Sequence, residues 1–195
     1  MWLRKLPLIF SLLLLTACGE QKLPSPFKSG DVTAKYAQAD FHLNEASGKP
    51  VSLADYRGKV VVLFFGYTHC PQVCPTTLAD LAQAMRMLGG EADKVQVLFV
   101  TLDPERDTRE LLAQYPPAFH PSFKGLYGDS MATAQVAQAF GVSFQKHPNQ
   151  DGSYDIDHTA GTYLIAPRGK PVLLSPYGQR TELLVQDIRI LLTLK

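Results

Sequence analysis

The sequence predicts an α/β fold in which a mixed central sheet is flanked by helices. Two short runs, at residues 59–65 and 95–102, are almost continuously apolar, which is typical of strands buried on both faces. The first run is followed by a segment whose apolar residues recur at three- and four-residue spacing, as on the buried face of a helix, and the second by a segment with a helix-capping residue. A strand pair and a final helix close the chain, so we expect antiparallel as well as parallel strands.

The individual elements are predicted from periodicity and from the residues that end each segment. In chain order they are a hairpin (41–43 and 51–53), a strand (59–65), a helix (75–88), a strand (95–102), a helix (107–115), a short strand (123–126), a helix (130–140), two strands (162–166 and 172–175) and a helix (181–192). Alternating apolar residues around a polar turn indicate the hairpin. Gly89 and Gly141 end the first and third helices, and Asp107 or Thr108 caps the second.

The first 17 residues have the layout of a bacterial secretory signal peptide. Arg4 and Lys5 precede an apolar stretch, which ends in the sequence Leu-Thr-Ala-Cys at Cys18. This ending resembles a lipobox, in which the cysteine is lipidated and becomes the mature N-terminus. The apolar stretch is shorter than the roughly 20 residues of a membrane-spanning helix. We therefore expect a lipid anchor on Cys18 in the bacterial cell membrane, with the domain on the periplasmic, extracytoplasmic side.

The remaining chain divides into a tether and one domain. Residues 18–38 are predicted to be the lipidated N-terminus and a flexible tether, because the segment is polar and contains two prolines. Residues 39–195 are enough for one domain with a sizeable core. The net charge of +1 is too balanced to suggest nucleic-acid binding.

The other two cysteines, Cys70 and Cys74, follow the first buried strand, where a helix is predicted to begin. On a helix, residues four apart have Cα atoms about 6 Å apart, a separation that a disulfide tolerates. If Pro75 is the first helical residue, Cys74 is the cap instead. Either way the sulfurs lie near unpaired N–H groups, which favour the thiolate. A purely structural disulfide across so small a ring would stabilise the fold by only about 2 kcal/mol.

The spacing of the pair favours metal binding without excluding redox chemistry. Three residues separate the cysteines, whereas dithiol oxidoreductases usually have two. A zinc site normally needs four ligands. Cu(I) is satisfied by two thiolates with or without an imidazole, and Cu(II) accepts nitrogen together with sulfur. A redox-active pair between a core strand and a helix is also the thioredoxin-like arrangement.

A third ligand would come from one of five histidines, His42, His69, His120, His147 and His158. The first four are expected at the surface, in loops, or pointing away from the cysteines. His158 differs because it precedes the strand 162–166, and in thioredoxin-like proteins the loop entering this strand faces the cysteine pair. Asp155 or Asp157 is placed to orient its ring, as carboxylates often do for metal-bound histidine.

Four segments of the chain, in order, resemble the Sco/SenC family. They are GYTHCPQVCPT (66–76), LDPERDT (102–108), FKGL (123–126) and DHT (157–159), the last followed by Tyr-Leu-Ile from residue 163. The resemblance covers about residues 39–192. It implies a thioredoxin-like fold with an added N-terminal hairpin, and copper bound by Cys70, Cys74 and His158. One departure is Gln72, where many members have an acidic residue.

The resemblance also implies a function, which is assembly of the binuclear copper centre of cytochrome c oxidase. We expect a membrane-anchored chaperone that receives copper from another carrier and passes it to the copper-bearing subunit of the oxidase. His158 would support the oxidised ion. The main alternative is a thiol–disulfide reductase that uses the same cysteines and a thiol reductant as electron donor. A peroxidase is disfavoured, because the sequence lacks a lone peroxidatic cysteine with Thr and Arg in its own motif.

Overall fold

The computed structural model describes residues 25–194, so the predicted signal peptide and Cys18 lie outside the described residues. The strands are β1 (Gly30–Asp31), β2 (His42–Glu45), β3 (Pro50–Ser52), β4 (Val60–Gly66), β5 (Val95–Thr101), β6 (Lys124–Tyr127), β7 (Phe144–Pro148), β8 (Tyr154–His158), β9 (Thr162–Ile165) and β10 (Pro171–Ser175). The helices are α1 (Val73–Leu88), α2 (Arg109–Phe119), α3 (Ser130–Ala139) and α4 (Thr181–Thr193), with 3-10 turns at Leu53–Tyr56 and Gly89–Lys94. Between residues 25 and 194, no helix is both long and apolar enough to span a bilayer.

Eight of the strands form one mixed sheet, as predicted. Its order is β1-β10-β9-β4-β5-β6-β2-β3. Strands β4, β5 and β6 are parallel to one another, and the remaining pairs are antiparallel. The carboxyl ends of β4 and β5 therefore meet at one edge of the sheet, and the two segments that follow them lie side by side.

The core has two layers, one on each face of this sheet. Every residue of β4 and β5 is buried, which explains why both runs are apolar without alternation. Val62 and Phe64 of β4 pack with α1 and α4, while Leu63 and Phe65 pack with α3 and the N-terminal segment. The central sheet with helices on both faces confirms the predicted fold class.

Helix boundaries differ from the predictions in two informative places. Helix α1 begins at Val73, so Cys74 lies within its first turn and is not its cap. Helix α2 is capped by Thr108, whose side chain accepts from the backbone N–H of Leu111, and it continues through two prolines to Phe119. Asp107, the other predicted cap, has a different role that is described with the site.

The segment before residue 39, predicted to be a flexible tether, contacts the domain from about residue 28 onwards. Strand β1 pairs with β10, and the fully buried carboxylate of Asp187 accepts the backbone N–H groups of Lys28 and Ser29, both at 2.8 Å. Tyr36 is buried with its ring edge-on to Tyr163, at 5.6 Å between centroids. Most of these contacts use the backbone, so the polar sequence of the segment did not reveal them.

Strands β7 and β8 form a separate two-stranded hairpin that the sequence did not predict. Its residues are mostly polar and solvent-exposed on both faces, and only Ile156 of β8 is fully buried. Without a buried face the hairpin shows no apolar alternation. His158 is the last residue of β8, and not part of an irregular loop as expected.

Candidate metal-binding site

The two cysteines are held at the start of α1, directly beyond the end of β4. Both are free thiols; Cys74 is buried and Cys70 is partly exposed. The backbone N–H of Cys74 donates to the sulfur of Cys70 at 3.4 Å. The Cys70 sulfur therefore takes the place of a side-chain cap at the helix N-terminus, where N–H groups lack partners within the helix.

This arrangement makes the two thiols chemically unequal. A hydrogen bond from Cys74 and further ones from the backbone N–H groups of Cys74, Gln72 and Val73 lower the pKa of Cys70 to about 5, against the opposing effect of burial. The same thiol–thiol hydrogen bond, together with burial, raises the pKa of Cys74. At neutral pH Cys70 is therefore a thiolate, ready to act as nucleophile or metal ligand, and Cys74 is its protonated partner.

Gly66, the last residue of β4, provides the space that Cys74 occupies. A Cβ atom at this position would lie 2.8 Å from the Cys74 sulfur and 2.9 Å from the ring of Phe99. Both distances are too short for a real contact. Gly66 belongs to a sequence motif without a predicted role of its own, because this close packing is visible only in three dimensions.

His158 reaches the cysteines from the far side of the cleft. Its Nε2 lies 3.8 Å from the Cys74 sulfur, and its Nδ1 lies 3.0 Å from the carbonyl oxygen of Thr159. Since a carbonyl oxygen only accepts, Nδ1 carries a hydrogen, and in the neutral imidazole Nε2 then presents its lone pair towards the sulfur. The ring packs edge-on against Tyr67 and Phe64, which limits its rotation.

The carboxylates predicted to orient His158 do not do so. Asp157 lies 3.0 Å from Nε2 of His147, and Asp155 accepts from the side-chain amide of Asn149 at 3.2 Å. Both carboxylates line the cleft beside His158, but neither forms a hydrogen bond with its ring. The backbone carbonyl of Thr159 supplies the orientation instead.

The other four histidines are not brought to the cysteines. The ring of His69 turns towards Thr68 and Asp107, with Nδ1 at 3.1 Å from the Thr68 hydroxyl oxygen. His120 bonds to Ser122, and His147 pairs with Asp157 as described above. His42 is an exposed residue of β2. Of the five candidates, only His158 stands beside a cysteine sulfur.

Asp107 fixes the loop that carries Cys70. Its buried carboxylate accepts the backbone N–H of Thr68 at 3.0 Å and the Thr68 hydroxyl at 2.6 Å. It also accepts the hydroxyl of Thr101, at the end of β5, at 2.6 Å. One carboxylate thus ties the ends of two parallel strands together and sets the direction of the cysteine loop. From the sequence, Asp107 was predicted only as an alternative cap of the second helix.

The site opens into a cleft of about 330 Å³. The cleft is lined by Tyr67, Cys70, Pro71, Gln72, Val73, Asp155, Ile156, Asp157, His158 and Ala160. Cys70 and His158 thus face one solvent-connected space, and Cys74 lies buried beneath it.

The spacing of donor atoms suits a shared metal ion. A nitrogen at about 2.0 Å and a sulfur at about 2.3 Å from one ion stand about 3.5–3.7 Å apart at tetrahedral or trigonal angles. The separation of 3.8 Å between His158 Nε2 and Cys74 Sγ lies just above this span. Over residues 25–194, no three His, Cys, Asp or Glu side chains are already arranged to hold a metal ion. Binding through all three groups therefore requires a local rearrangement, most simply of Cys70, which is more exposed than Cys74.

Fold and site together define a thioredoxin-like domain with a dithiol and an imidazole beside the carboxyl ends of its central strands. Residues 30–193 match the sequence model of the SCO1/SenC family, so the chain belongs to this family. Among curated relatives, the mitochondrial SCO2 homolog of Bos taurus is 42% identical over 139 residues, covering 70% of this chain and 52% of the relative. The chain thus spans about half the length of such relatives.

Solved structures extend the comparison. Bradyrhizobium japonicum ScoI, solved with copper bound, is 38% identical with a TM-score of 0.72, covering 78% of this chain and 97% of the other. A SCO1/SenC family lipoprotein from Bacillus anthracis is 26% identical with a TM-score of 0.66, covering 78% and 92%. BsSco, described as a member of the Sco family of cytochrome c oxidase assembly proteins, is 24% identical with a TM-score of 0.63, covering 80% and 93%. This last likeness shows the shared fold alone. The predicted family and thioredoxin-like fold are confirmed.

Proposed function

We propose that this protein is a membrane-anchored copper chaperone that binds copper through Cys70, Cys74 and His158. The observation that carries the proposal is the 3.8 Å separation between the Cys74 sulfur and Nε2 of the His158 imidazole. The related ScoI from Bradyrhizobium japonicum, solved with copper bound, supports copper as the metal.

The three groups would divide the work of binding. Cys70, already a thiolate, would capture the ion first, and Cys74 would lose its proton on binding because a ligating thiol is deprotonated. Two thiolates satisfy Cu(I), and the nitrogen of His158 adds the donor that Cu(II) accepts. Copper is the cargo, so binding must also be reversible. The exposed edge of Cys70 offers an incoming thiolate a path for ligand exchange.

We infer that the acceptor is the copper-bearing subunit of a cytochrome c oxidase, at its binuclear copper centre. Membership of the SCO1/SenC family, whose resemblance implies assembly of this copper centre, supports the assignment. A second copper carrier would load the site, and a thiol reductant would return an oxidised cysteine pair to its free state.

We infer further that Cys18 carries lipid after removal of residues 1–17, and that residues 39–195, together with the packed segment before them, form the copper-binding domain outside the cytoplasm. The lipobox-like sequence supports this placement, as does the family lipoprotein from Bacillus anthracis. An oxidase copper centre on the same side of the membrane would then lie within reach of the site.

A thiol–disulfide reductase is the second candidate, and the inequality of the two thiols favours it specifically. A low pKa at Cys70 beside a raised pKa at Cys74 is the pattern of an attacking thiolate with a resolving partner. In this reaction the Cys70 thiolate attacks one sulfur of a partner's disulfide, forms a mixed disulfide with it and releases the other partner sulfur as a thiolate. Cys74 then gives up its proton and attacks the Cys70 sulfur, so that the second partner sulfur leaves as a thiol and Cys70 and Cys74 form a disulfide.

Copper titration of the reduced full-length protein tests the proposal, with His158→Ala compared to His120→Ala as a matched control. We expect His158→Ala to lose the visible sulfur–Cu(II) charge-transfer band while retaining Cu(I), and His120→Ala to behave as wild type. An unchanged Cu(II) spectrum in His158→Ala would show that the ligand set is wrong. The reductase would be favoured by two results together. The protein would bind copper poorly, and its metal-free form would reduce a disulfide-bonded partner in a reaction that requires both cysteines.

A further inference from the structure

Few hydrogen bonds join the hairpin that carries His158 to the rest of the domain. Within the described residues, β8 forms hydrogen bonds beyond its own hairpin with three side chains, those of Tyr67, Asp103 and Arg106. The contact between His158 and the Cys74 sulfur belongs to the site itself. An ion pair between Lys146 of β7 and Glu105, and the burial of Ile156, also hold the hairpin. The three hydrogen-bonding side chains therefore contribute to where β8, and with it His158, lies over the cysteines.

Arg106 is the centre of this attachment. Its Nε donates to the carboxylate of Asp103, and its Nη1 donates to the backbone carbonyl of Tyr154 at 2.8 Å. The guanidinium carbon also lies 3.5 Å from the centroid of the Tyr154 ring. In residues 25–194 the remaining nitrogen, Nη2, is buried and finds no hydrogen-bond acceptor. Stacking on the ring accounts for this, because an aromatic face attracts a cation without accepting a conventional hydrogen bond.

Asp103 bonds to both Arg106 and Tyr154, which also contact each other. Its fully buried carboxylate accepts the Tyr154 hydroxyl at 2.8 Å as well as the Arg106 guanidinium. Its backbone N–H donates to the hydroxyl of Thr101 at 2.9 Å, which fixes it to the end of β5. A buried carboxylate with a cation and a hydroxyl as partners is satisfied only while all three groups stay together.

We propose that Arg106 is a positioning residue that holds His158 at the cysteines by clamping Tyr154 at the start of β8. This inference deepens the proposed function and rests on it for the role of His158 in copper binding. The clamp and the ligand occupy opposite ends of a five-residue strand. Release of Tyr154 would therefore let the strand turn away while the cysteines stay in place.

The test uses Arg106→Gln beside Arg189→Gln as a matched control. Like Arg106, Arg189 donates from Nε to a carboxylate (Glu91) and from a terminal nitrogen to a backbone carbonyl (Met87). None of these three residues lines the cleft. Amide exchange of the reduced, metal-free protein reports the position of β8, since the Ile156 N–H donates to the Tyr67 hydroxyl at 3.2 Å. Copper affinity, measured alone and in a His158→Ala background, reports the consequence at the site.

In Arg106→Gln we expect exchange at Ile156 to accelerate by at least about tenfold, with exchange in β4 unchanged. Cu(II) affinity should fall by about 10- to 100-fold, the usual range for groups that orient a metal ligand. In the His158→Ala background, Arg106→Gln should cause no further loss of Cu(II) affinity. Arg106→Lys keeps the charge but not the planar fork, so it should recover only part of the affinity. Arg189→Gln should match wild type in both measurements.

Two results would overturn the proposal: unchanged exchange at Ile156, or an equal loss of affinity in the presence and absence of the His158 imidazole. If Arg106→Gln fails to fold, Tyr154→Phe replaces it, since this variant keeps the ring and removes only the bond to Asp103. It should accelerate exchange at Ile156 to a smaller extent, and no acceleration would count against the clamp. If wild type binds no copper, the proposed function fails, whereas the exchange experiment still decides whether Arg106 holds β8.

Discussion

The sulfur of Cys74 and Nε2 of His158 lie 3.8 Å apart although 84 residues separate them in the chain. Two independently anchored elements create this proximity. Helix α1 positions the cysteine, and the exposed hairpin of β7 and β8 positions the imidazole. Because each anchor uses buried polar groups, each can be weakened separately, and the predictions below depend on that separation.

The reactivity of Cys70 should reveal its lowered pKa. Alkylation of the reduced protein by iodoacetamide should follow a titration with a midpoint at about pH 5, against about 8.5 for an ordinary cysteine. The physical cause is hydrogen bonding of the thiolate by Cys74 and by the N–H groups at the start of α1. Mass spectrometry of the peptide that contains Cys70 measures the extent of alkylation at each pH. Modification of Cys74 first, or a midpoint near 8.5, would contradict the proposed inequality.

The same pKa makes the stability of the reduced protein depend on pH. Because the folded-state pKa lies below the unfolded one, the thiolate contributes its full stabilisation above about pH 8.5 and loses it as pH falls through about 5. Cys70→Ser should therefore reduce the free energy of unfolding more at pH 8 than at pH 5. Denaturant unfolding of wild type and Cys70→Ser at both pH values measures this loss of unfolding free energy. An equal loss at pH 8 and pH 5 would contradict the link between the pKa of Cys70 and stability.

Gly66→Ala should damage the site and the fold together. The new Cβ would overlap the Cys74 sulfur and the Phe99 ring, at 2.8 and 2.9 Å. Overpacking of this kind typically costs about 1–3 kcal/mol of unfolding free energy. We also expect weaker copper binding, because the sulfur must move. Gly90→Ala is the control, since its Cβ would meet nothing within 4 Å; similar losses in both variants would argue against the packing explanation.

Asp107→Asn should loosen the cysteine loop. An amide offers one accepting oxygen where the carboxylate offers two, so one of the donors from Thr68 or Thr101 loses its partner. The expected cost is about 1.5–3 kcal/mol in unfolding free energy, accompanied by weaker copper binding. Asp129→Asn serves as control, because Asp129 is an exposed helix cap and Asn caps equally well. Calorimetry of the two variants distinguishes the roles, and equal melting temperatures would count against Asp107.

The sequence predicted the parts of the fold that have strong periodicity. Strands β4 and β5 and helix α1 were recognised because buried strands are continuously apolar and a packed helix repeats its apolar residues. The β7–β8 hairpin escaped because both of its faces meet solvent, so packing imposes no pattern on its sequence. Strand β1 escaped because two residues pairing through the backbone leave no periodic signal.

The site shows the same division. Cysteine spacing and chain order indicated which side chains meet, since strand topology brings His158 towards the end of β4. The groups that support them were not predictable individually. Asp107, Arg106 and Tyr154 act through hydrogen bonds whose partners lie tens of residues away, and such pairings are fixed only when the chain is folded.

The N-terminal segment offers a last prediction, concerning where the domain begins. The buried Asp187 carboxylate accepts the N–H groups of Lys28 and Ser29, so Asp187→Asn should lower the unfolding free energy by about 1–3 kcal/mol in a protein that begins at residue 25. In a protein that begins at residue 39, these donors are missing and the substitution should cost much less. Denaturant unfolding of wild type and Asp187→Asn at both lengths measures the coupling energy between Asp187 and the segment that contains Lys28 and Ser29. The shorter wild-type protein should also be less stable, because it lacks Tyr36 and strand β1. If the two proteins were equally stable, or if Asp187→Asn destabilised both equally, residues up to 38 would be better described as a flexible tether.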